Sequence, residues 1–245
     1  MKKVLFATIV AAAIAGAAFY AFADDNAAYS ANAVGVIKYT IPANGGMKCI
    51  SLPLHPFDTE PGDRSWLFGE TAICDQLSVG SFVYFWTGTG WSPFEKKKGP
   101  GGKIQWTGGV TNRFIEPGEA FFVKSSTSDK EDKVVSLLGQ LPTDESLSYK
   151  LSGNMNLDTR GVAMYPVAVT FGDTTLCSEL SLGSLVYFWT GTGWSPSEKK
   201  KGPCGKIQWT SGATNRVVPV GEGIFIRSAG AADQTITMGI PFDWE

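Results

Sequence analysis

Residues capable of acid–base or nucleophilic chemistry are few in this chain of 245 residues. The one histidine, His55, lies in a segment rich in proline and glycine, which indicates a loop. Serine and cysteine nucleophiles need a histidine held by a rigid scaffold, so His55 is interpreted as an ordinary loop residue. The spacing of an EF hand is absent, although three acidic residues of the same loop could bind calcium weakly: Asp58, Glu60 and Asp63. We predict no resident metal ion and no cofactor.

Acidic residues occur in two matching pairs, Glu95 with Glu198 and Glu119 with Glu222. Two carboxylates on opposite sides of a glycosidic bond could hydrolyse it. Three lysines follow Glu95, however, and neighbouring positive charge favours the carboxylate over the protonated form that a general acid needs. We interpret Glu95 as a solvated ion-pair partner and Glu119 and Glu222 as residues at the start of strands. The sequence therefore predicts no catalytic residue and no enzyme activity.

Tryptophan is the residue type whose placement suggests binding. Six of the eight tryptophans form two sets with the same spacing: Trp86, Trp91 and Trp106, then Trp189, Trp194 and Trp209. Exposed tryptophan on a sheet can stack against sugar rings, and nearby lysines could attract acidic glycans. Small β units also use tryptophan to fill their cores; we favour the core for Trp86 and Trp106 and leave both options open for Trp91. The candidate ligand-binding residues are Trp91, Trp194, Lys97 and Lys200.

An internal repeat explains this matching. Residues 80–113 and 183–216 are related by an offset of 103, and 29 of their 34 positions are identical. Self-similarity at this level indicates a duplication. A polar run over residues 125–133 separates the copies, so we predict a first unit over residues 24–128 and a second over residues 129–245.

The elements that position these residues are predicted to be strands. Residues 36–41, 82–86 and 120–124 are rich in β-branched and aromatic residues, and glycine and proline turns bound them. No segment after residue 23 keeps a helical period for three turns. The sequence therefore predicts an all-β fold with a β-sandwich or small barrel in each copy. Two tandem units are favoured over one merged sandwich.

The N-terminus has the features of a secretory signal peptide over residues 1–23. Two lysines precede a short apolar run, and small residues end at Ala23. Cleavage would reduce Lys and Arg from 21 to 19 against 23 acidic residues, which changes the net charge from −2 to −4. A basic face for nucleic acid is not expected, nor is a membrane span in the mature chain. We predict an extracellular, cell-surface or periplasmic location.

Four cysteines follow the predicted cleavage point, and export would allow disulfides to form. Cys74 and Cys177 occupy matching positions in the repeat, whereas Cys49 and Cys204 have no matching cysteine. Of the three possible pairings, Cys49 with Cys74 and Cys177 with Cys204 would place one bridge in each unit. We favour this pairing, with free buried thiols as the alternative.

Several short motifs carry a resemblance to other proteins: residues 31–35 (Ala-Asn-Ala-Val-Gly), 83–86 (Val-Tyr-Phe-Trp), 90–91 (Gly-Trp) and 117–122 (Pro-Gly-Glu-Ala-Phe-Phe). In this pattern the chain resembles uncharacterised exported bacterial proteins with paired β-rich repeats. The resemblance implies export and β repeats, and it implies nothing about catalysis. The second copy departs from the pattern because Val220 replaces the turn proline.

Two functions fit these observations. The first is a non-catalytic secreted or cell-surface protein that assembles with itself or with other surface proteins through sheet edges and aromatic surfaces. The segment over residues 24–32 could then add a strand to a neighbour. The alternative is a bivalent carbohydrate-binding module that uses exposed tryptophans, with glycans as ligands.

Overall fold

The architecture is built from short strands along which buried and exposed residues alternate. The structure is a computed structural model that describes residues 34–57, 64–142 and 146–239. In Val34–Ile41, for example, Ile37, Tyr39 and Ile41 point inward while the residues between them face outward. The predicted signal peptide, the segment over residues 24–32 and the acidic triplet within residues 58–63 lie outside the described residues.

Each copy contributes nine strands and one short α-helix to the described residues. The first copy contains β1 (Val34–Ile41), β2 (Met47–Ser51), β3 (Trp66–Leu67), α1 (Ala72–Gln76), β4 (Phe82–Trp86), β5 (Trp91–Lys98), β6 (Ile104–Trp106), β7 (Phe114–Ile115), β8 (Ala120–Lys124) and β9 (Lys133–Gln140). The second contains β10 (Ser146–Leu151), β11 (Leu157–Gly161), β12 (Val169–Thr170), α2 (Thr175–Glu179), β13 (Leu185–Trp189), β14 (Trp194–Lys201), β15 (Ile207–Trp209), β16 (Val217–Val218), β17 (Gly223–Arg227) and β18 (Gln234–Gly239).

Short 3₁₀ helices connect the strands at the same places in both copies. They span Phe68–Glu70, Pro100–Gly102 and Thr107–Asn112 in the first copy, and Phe171–Asp173, Pro203–Gly205 and Thr210–Asn215 in the second. None of the described helices has the length and apolar character needed to cross a membrane.

The two copies share one sheet topology. The first has a five-stranded antiparallel sheet in the order β2-β8-β4-β5-β6, a two-stranded ribbon of β1 and β9, and the small pair β3-β7. The second repeats this arrangement as β11-β17-β13-β14-β15, β10-β18 and β12-β16. The predicted all-β fold of two related units is therefore confirmed, with open sheets in both.

A separate apolar core lies between the ribbon and one face of the five-stranded sheet in each copy. In the first copy, Ile37 and Tyr39 of β1 and Val135 of β9 pack with Phe85 and Phe121 of the sheet. In the second copy, Tyr149 and Ile236 of the ribbon pack with Phe188 and Ile224. Each copy is thus a small two-layer sandwich, in which the alternation of the strands selects the buried side chains.

Strand pairing places residues 133–140 with the first copy. Strand β9 pairs along its whole length with β1, from Val34 opposite Gln140 to Ile41 opposite Lys133. The predicted boundary put residue 129 and everything after it in the second unit. The polar run before β9 is thus followed by a strand that returns to the first copy.

Candidate functional site

The outer faces of the two five-stranded sheets pack against each other through a third apolar cluster, which we call the junction. Its buried centre consists of Cys49, Ala120 and Phe122 from the first copy and Phe225 from the second. Half-buried aromatic side chains from both copies surround this centre: Tyr84, Trp91, Tyr187, Trp189 and Trp194.

Contacts across the junction are reciprocal. The indole Nε1 of Trp86 donates a hydrogen bond to the carbonyl of Leu157 at 2.7 Å, and that of Trp189 donates to the carbonyl of Met47 at 3.0 Å. Trp86 and Trp189 are equivalent in the repeat, and Met47 and Leu157 begin equivalent strands. The same patch of each copy therefore contacts the other, as in an isologous dimer.

Backbone hydrogen bonds show the same symmetry. The amide of Ser51 donates to the carbonyl of Gly221 at 2.8 Å, and the amide of Gly161 donates to the carbonyl of Gly118 at 2.9 Å. Gly118 and Gly221 are equivalent residues of the turns before β8 and β17. These bonds fix the relative register of the two copies along the junction.

Trp91 and Trp194, both predicted as candidate ligand-binding residues, lie in the junction. Their rings stack on Phe225 at centroid distances of 5.3 and 3.8 Å, and they meet Phe122 edge to face at 5.1 and 5.5 Å. Both side chains are half-buried, so much of their surface contributes to packing between the copies. The core position predicted for Trp106 is confirmed, whereas the core position predicted for Trp86 is wrong, because its side chain is only half-buried at the edge of the junction.

The candidate lysines Lys97 and Lys200 are exposed, but their neighbours Lys96 and Lys199 are buried. Lys96 Nζ donates to the carbonyls at the end of α1, those of Cys74, Asp75 and Leu77, at 2.8 to 2.9 Å. Lys199 Nζ donates to the carbonyls of Cys177 and Ser178 at 2.9 and 2.7 Å, and burial lowers the pKa of Lys199. Lys96 is therefore unavailable to attract a ligand, because the pleat of β5 turns it inward.

The predicted disulfides are absent, since all four cysteines are free thiols. Cys49 points into the junction, where burial raises the pKa of its thiol, whereas Cys74 belongs to the core on the opposite face of the same sheet. Cys177 lies in the second core and Cys204 on an exposed turn. The structure does not bear out the favoured pairing, because a sheet separates Cys49 from Cys74 and because Cys177 is buried while Cys204 is exposed. Spacing along the chain records neither placement.

The carboxylates Glu119 and Glu222 lie immediately before β8 and β17, as predicted. Glu119 accepts a hydrogen bond from Arg113 at 2.6 Å, and Glu222 lies 3.4 Å from the guanidinium of Arg216. Burial raises the pKa of Glu222, and the nearby Arg216 opposes this effect. His55 forms an isolated backbone bridge with Gln140.

A groove of about 570 Å³ runs along one side of the junction. We call it the junction groove; it is lined by Trp86, Gly88, Thr89, Arg113, Phe114, Glu116 and Glu119 of the first copy, and by Ser152, Asn156, Leu157, Asp158, Thr159 and Arg160 of the second. It combines two aromatic side chains, Trp86 and Phe114, with charged and amide side chains. The sequence did not identify the lining residues that come from the second copy. The repeat aligns them with chemically different residues of the first copy, so no shared motif marks them.

Charges in the junction groove are arranged as internal pairs. Arg113 pairs with Glu119, and Arg160 lies 3.8 Å from Asp158. Asp158 also accepts hydrogen bonds from the amide of Ser152 at 2.7 Å and from its hydroxyl at 3.2 Å. The groove is therefore polar but carries little net charge.

Comparison with known proteins gives no relative. Neither a protein-family model, nor a curated protein, nor a solved structure matches this chain. Functional inference therefore depends on the residues of the chain itself. Within residues 34–57, 64–142 and 146–239, no group of three or more His, Cys, Asp or Glu residues is placed to hold a metal ion.

A second candidate surface lies on the outward side of the β1-β9 ribbon. Four aliphatic residues there are about half exposed, and we call this surface the ribbon face: Val34 at 55%, Val36 at 58%, Val134 at 53% and Leu138 at 49%. Val36 and Leu138 are directly opposite each other in the strand pairing. In the second copy the corresponding cross-strand pair is Ser146 with Gly239.

Proposed function

We propose that this chain is a non-catalytic exported protein that assembles through its ribbon face, and that the partner is a second copy of the chain. The proposal is supported by one observation above all. Four half-exposed aliphatic residues share one face of a two-stranded ribbon, and clustered exposed apolar side chains are typical of interaction sites.

The second copy supports this interpretation because it builds the same ribbon without an apolar outer face. Its exposed residues at the positions of Val36, Val134 and Leu138 are Ser146, Thr235 and Gly239. The fold itself thus has no need for aliphatic side chains at these positions. Their presence in the first copy is explained if another surface covers them.

A second copy is the favoured partner because the chain already joins two sheet faces through reciprocal contacts. Burying four half-exposed aliphatic residues on each of two ribbon faces would contribute roughly 6–12 kcal/mol. Association itself costs about 4–15 kcal/mol, so we expect a reversible dimer that forms at high protein concentration. Lys38, opposite Ser136, lies on the same face between Val36 and Val134, and its charge would limit further strand addition.

Sedimentation velocity of residues 24–245 over a range of concentrations tests the proposal. The chain should dimerise as its concentration rises, and the double variant Val36→Ser/Leu138→Thr should stay monomeric. Thr237→Ser, on the equivalent face of the second copy, is the matched control and should dimerise normally. All samples should carry Cys204→Ser, so that the exposed thiol cannot crosslink two chains. A chain that stays monomeric at high concentration, or a double variant that still dimerises, would contradict the proposal.

The alternative, a bivalent carbohydrate-binding module built on Trp91, Trp194, Lys97 and Lys200, has less geometric support. Trp91 and Trp194 use much of their ring surface to pack on Phe225 and Phe122. Replacing either tryptophan with alanine should therefore reduce stability as well as any binding, which makes these variants poor tests of a sugar site.

A further inference from the structure

We propose that the junction groove binds a short neutral oligosaccharide, with one site per chain. This inference is independent of assembly through the ribbon face, because the two surfaces share no residue. The groove volume of about 570 Å³ falls within the range of about 300–1,000 Å³ that is typical of ligand sites.

The side chains of the groove provide both kinds of hydrogen bond that sugar hydroxyls need. Arg113 and Arg160 are planar donors, Asp158 and Glu119 are acceptors, and the amide of Asn156 can act as both.

Trp86 adds an apolar surface with a fixed orientation. Its Nε1 donates to the Leu157 carbonyl, and its ring meets Trp91 edge to face at 5.3 Å. The ring is only half-buried and lines the groove. A tryptophan held in this way can receive the C–H face of a sugar without losing conformational freedom on binding.

The charge balance of the groove favours a neutral ligand over an anionic one. The guanidinium groups of Arg113 and Arg160 are already paired with Glu119 and Asp158. The exposed Glu116 adds a further negative charge to the lining. An acidic glycan or a phosphate bound beside Trp86 would meet this charge, while both guanidinium groups of the lining are already paired.

The groove adjoins a second depression of about 420 Å³, with which it shares Glu116 and Arg160. Lys150, Ser148 and Thr235 provide additional polar groups there. Because both depressions contact the same two side chains, a ligand longer than a single sugar could reach from one to the other.

The reciprocal position on the other side of the junction lacks this chemistry. The depression around Trp189 has a volume of about 190 Å³ and is lined by Pro42, Lys48 and Cys49, which replace Ser152, Asp158 and Thr159. The counterpart of Asp158 is therefore a lysine, whereas Glu222, the counterpart of Glu119, is kept. The structure assigns one binding site to each chain, whereas the repeat alone suggested two.

The test is a screen of residues 24–245 against an array of neutral and acidic oligosaccharides, followed by titration calorimetry of the strongest neutral ligand. We expect one ligand per chain. Thr89→Trp should fill the mouth of the groove and weaken binding by about tenfold or more. The matched control is Thr192→Trp, the same change in the equivalent exposed turn of the second copy, and it should bind normally.

Three results would overturn the proposal: no neutral oligosaccharide binds, two ligands bind per chain, or the two tryptophan variants weaken binding equally. Asn156→Ala provides a second measure, because this exposed amide can be removed without disturbing the packing of the junction; binding should weaken. The ribbon-face variant Val36→Ser/Leu138→Thr should bind the sugar normally. Failure of the binding proposal can thus be distinguished from failure of the assembly proposal.

Discussion

At the scale of single residues, two buried lysines show how an identical loop sequence can have a structural role. Lys96 and Lys199 each direct the ammonium group at carbonyls that the preceding short helix leaves unpaired. A cation at a helix C-terminus satisfies these carbonyls and interacts favourably with the helix dipole. The need for a donor to these carbonyls explains in part why the two copies have the same sequence around Lys96 and Lys199.

Lys96→Met should therefore destabilise the protein by about 2–4 kcal/mol, because the carbonyls of Asp75 and Leu77 lose the ammonium donor and that of Cys74 keeps only the Trp106 indole. Urea denaturation of residues 24–245 would measure the change. Lys97→Met is the matched control, since this neighbouring lysine is exposed, and it should change the free energy of unfolding by less than about 0.5 kcal/mol. Equal effects of the two substitutions would show that the buried contacts do not stabilise the fold.

At the scale of elements, the turns before β8 and β17 carry the charged pairs that border the junction. In the first copy the pair of Arg113 and Glu119 joins the residue before β7 to the residue before β8. In the second copy the pair of Arg216 and Glu222 joins the residue before β16 to the residue before β17. In the second copy burial raises the pKa of Glu222 above its ordinary value. The folded state therefore holds the proton of Glu222 more tightly than the unfolded chain does.

This difference predicts a dependence of stability on pH. Glu222 contributes stability below the unfolded-state pKa of about 4.3, and this contribution is lost as the pH rises through the raised pKa of the folded state. The free energy of unfolding should therefore fall relative to that of Glu222→Gln over this pH range. Denaturation at intervals from about pH 4 upward would test this, with Glu198→Gln as a control that removes an exposed carboxylate. A constant difference between the chain and Glu222→Gln would refute the prediction.

At the scale of the whole molecule, the chain resembles a dimer whose two subunits have been joined covalently. Each five-stranded sheet is covered by its own ribbon on one face and by the other copy on the other. Reciprocal bonds from Trp86 and Trp189 fix this arrangement. Because the copies are tethered, their association is intramolecular and does not depend on protein concentration. Divergence of the two sides then produced one polar groove and one apolar ribbon face.

Gly221→Ala tests the close approach of the copies. Its backbone has φ of +69°, and a Cβ atom would lie 2.6 Å from Cε1 of Tyr39. We expect a loss of about 2–4 kcal/mol in the free energy of unfolding. Gly212→Ala is the matched control, because this residue has φ of +65° but open space around it; it should cost only about 1–2 kcal/mol. Equal losses would mean that the contact with Tyr39 is unimportant.

The strands were predictable because their signals are local. Residues 82–86 and 120–124 form β4 and β8 as expected, since β-branched and aromatic runs between turns determine strands over short distances. The surface against which Trp91 packs was not predictable. Alternation assigns its side chain to one face of a sheet but does not reveal that the second copy covers that face.

By itself, the sequence determined the duplication, the all-β class and the positions of several central strands, because these depend on self-similarity and on the conformational preferences of neighbouring residues. Only the tertiary structure decided that residues 133–140 pair with β1, that Cys49 and Cys74 lie on opposite faces of one sheet, and that Asp158 and Arg160 share a groove with Trp86. Each of these results depends on contacts between residues that are far apart in the sequence. Packing between non-local strands determines these contacts, and local sequence patterns contain no information about them.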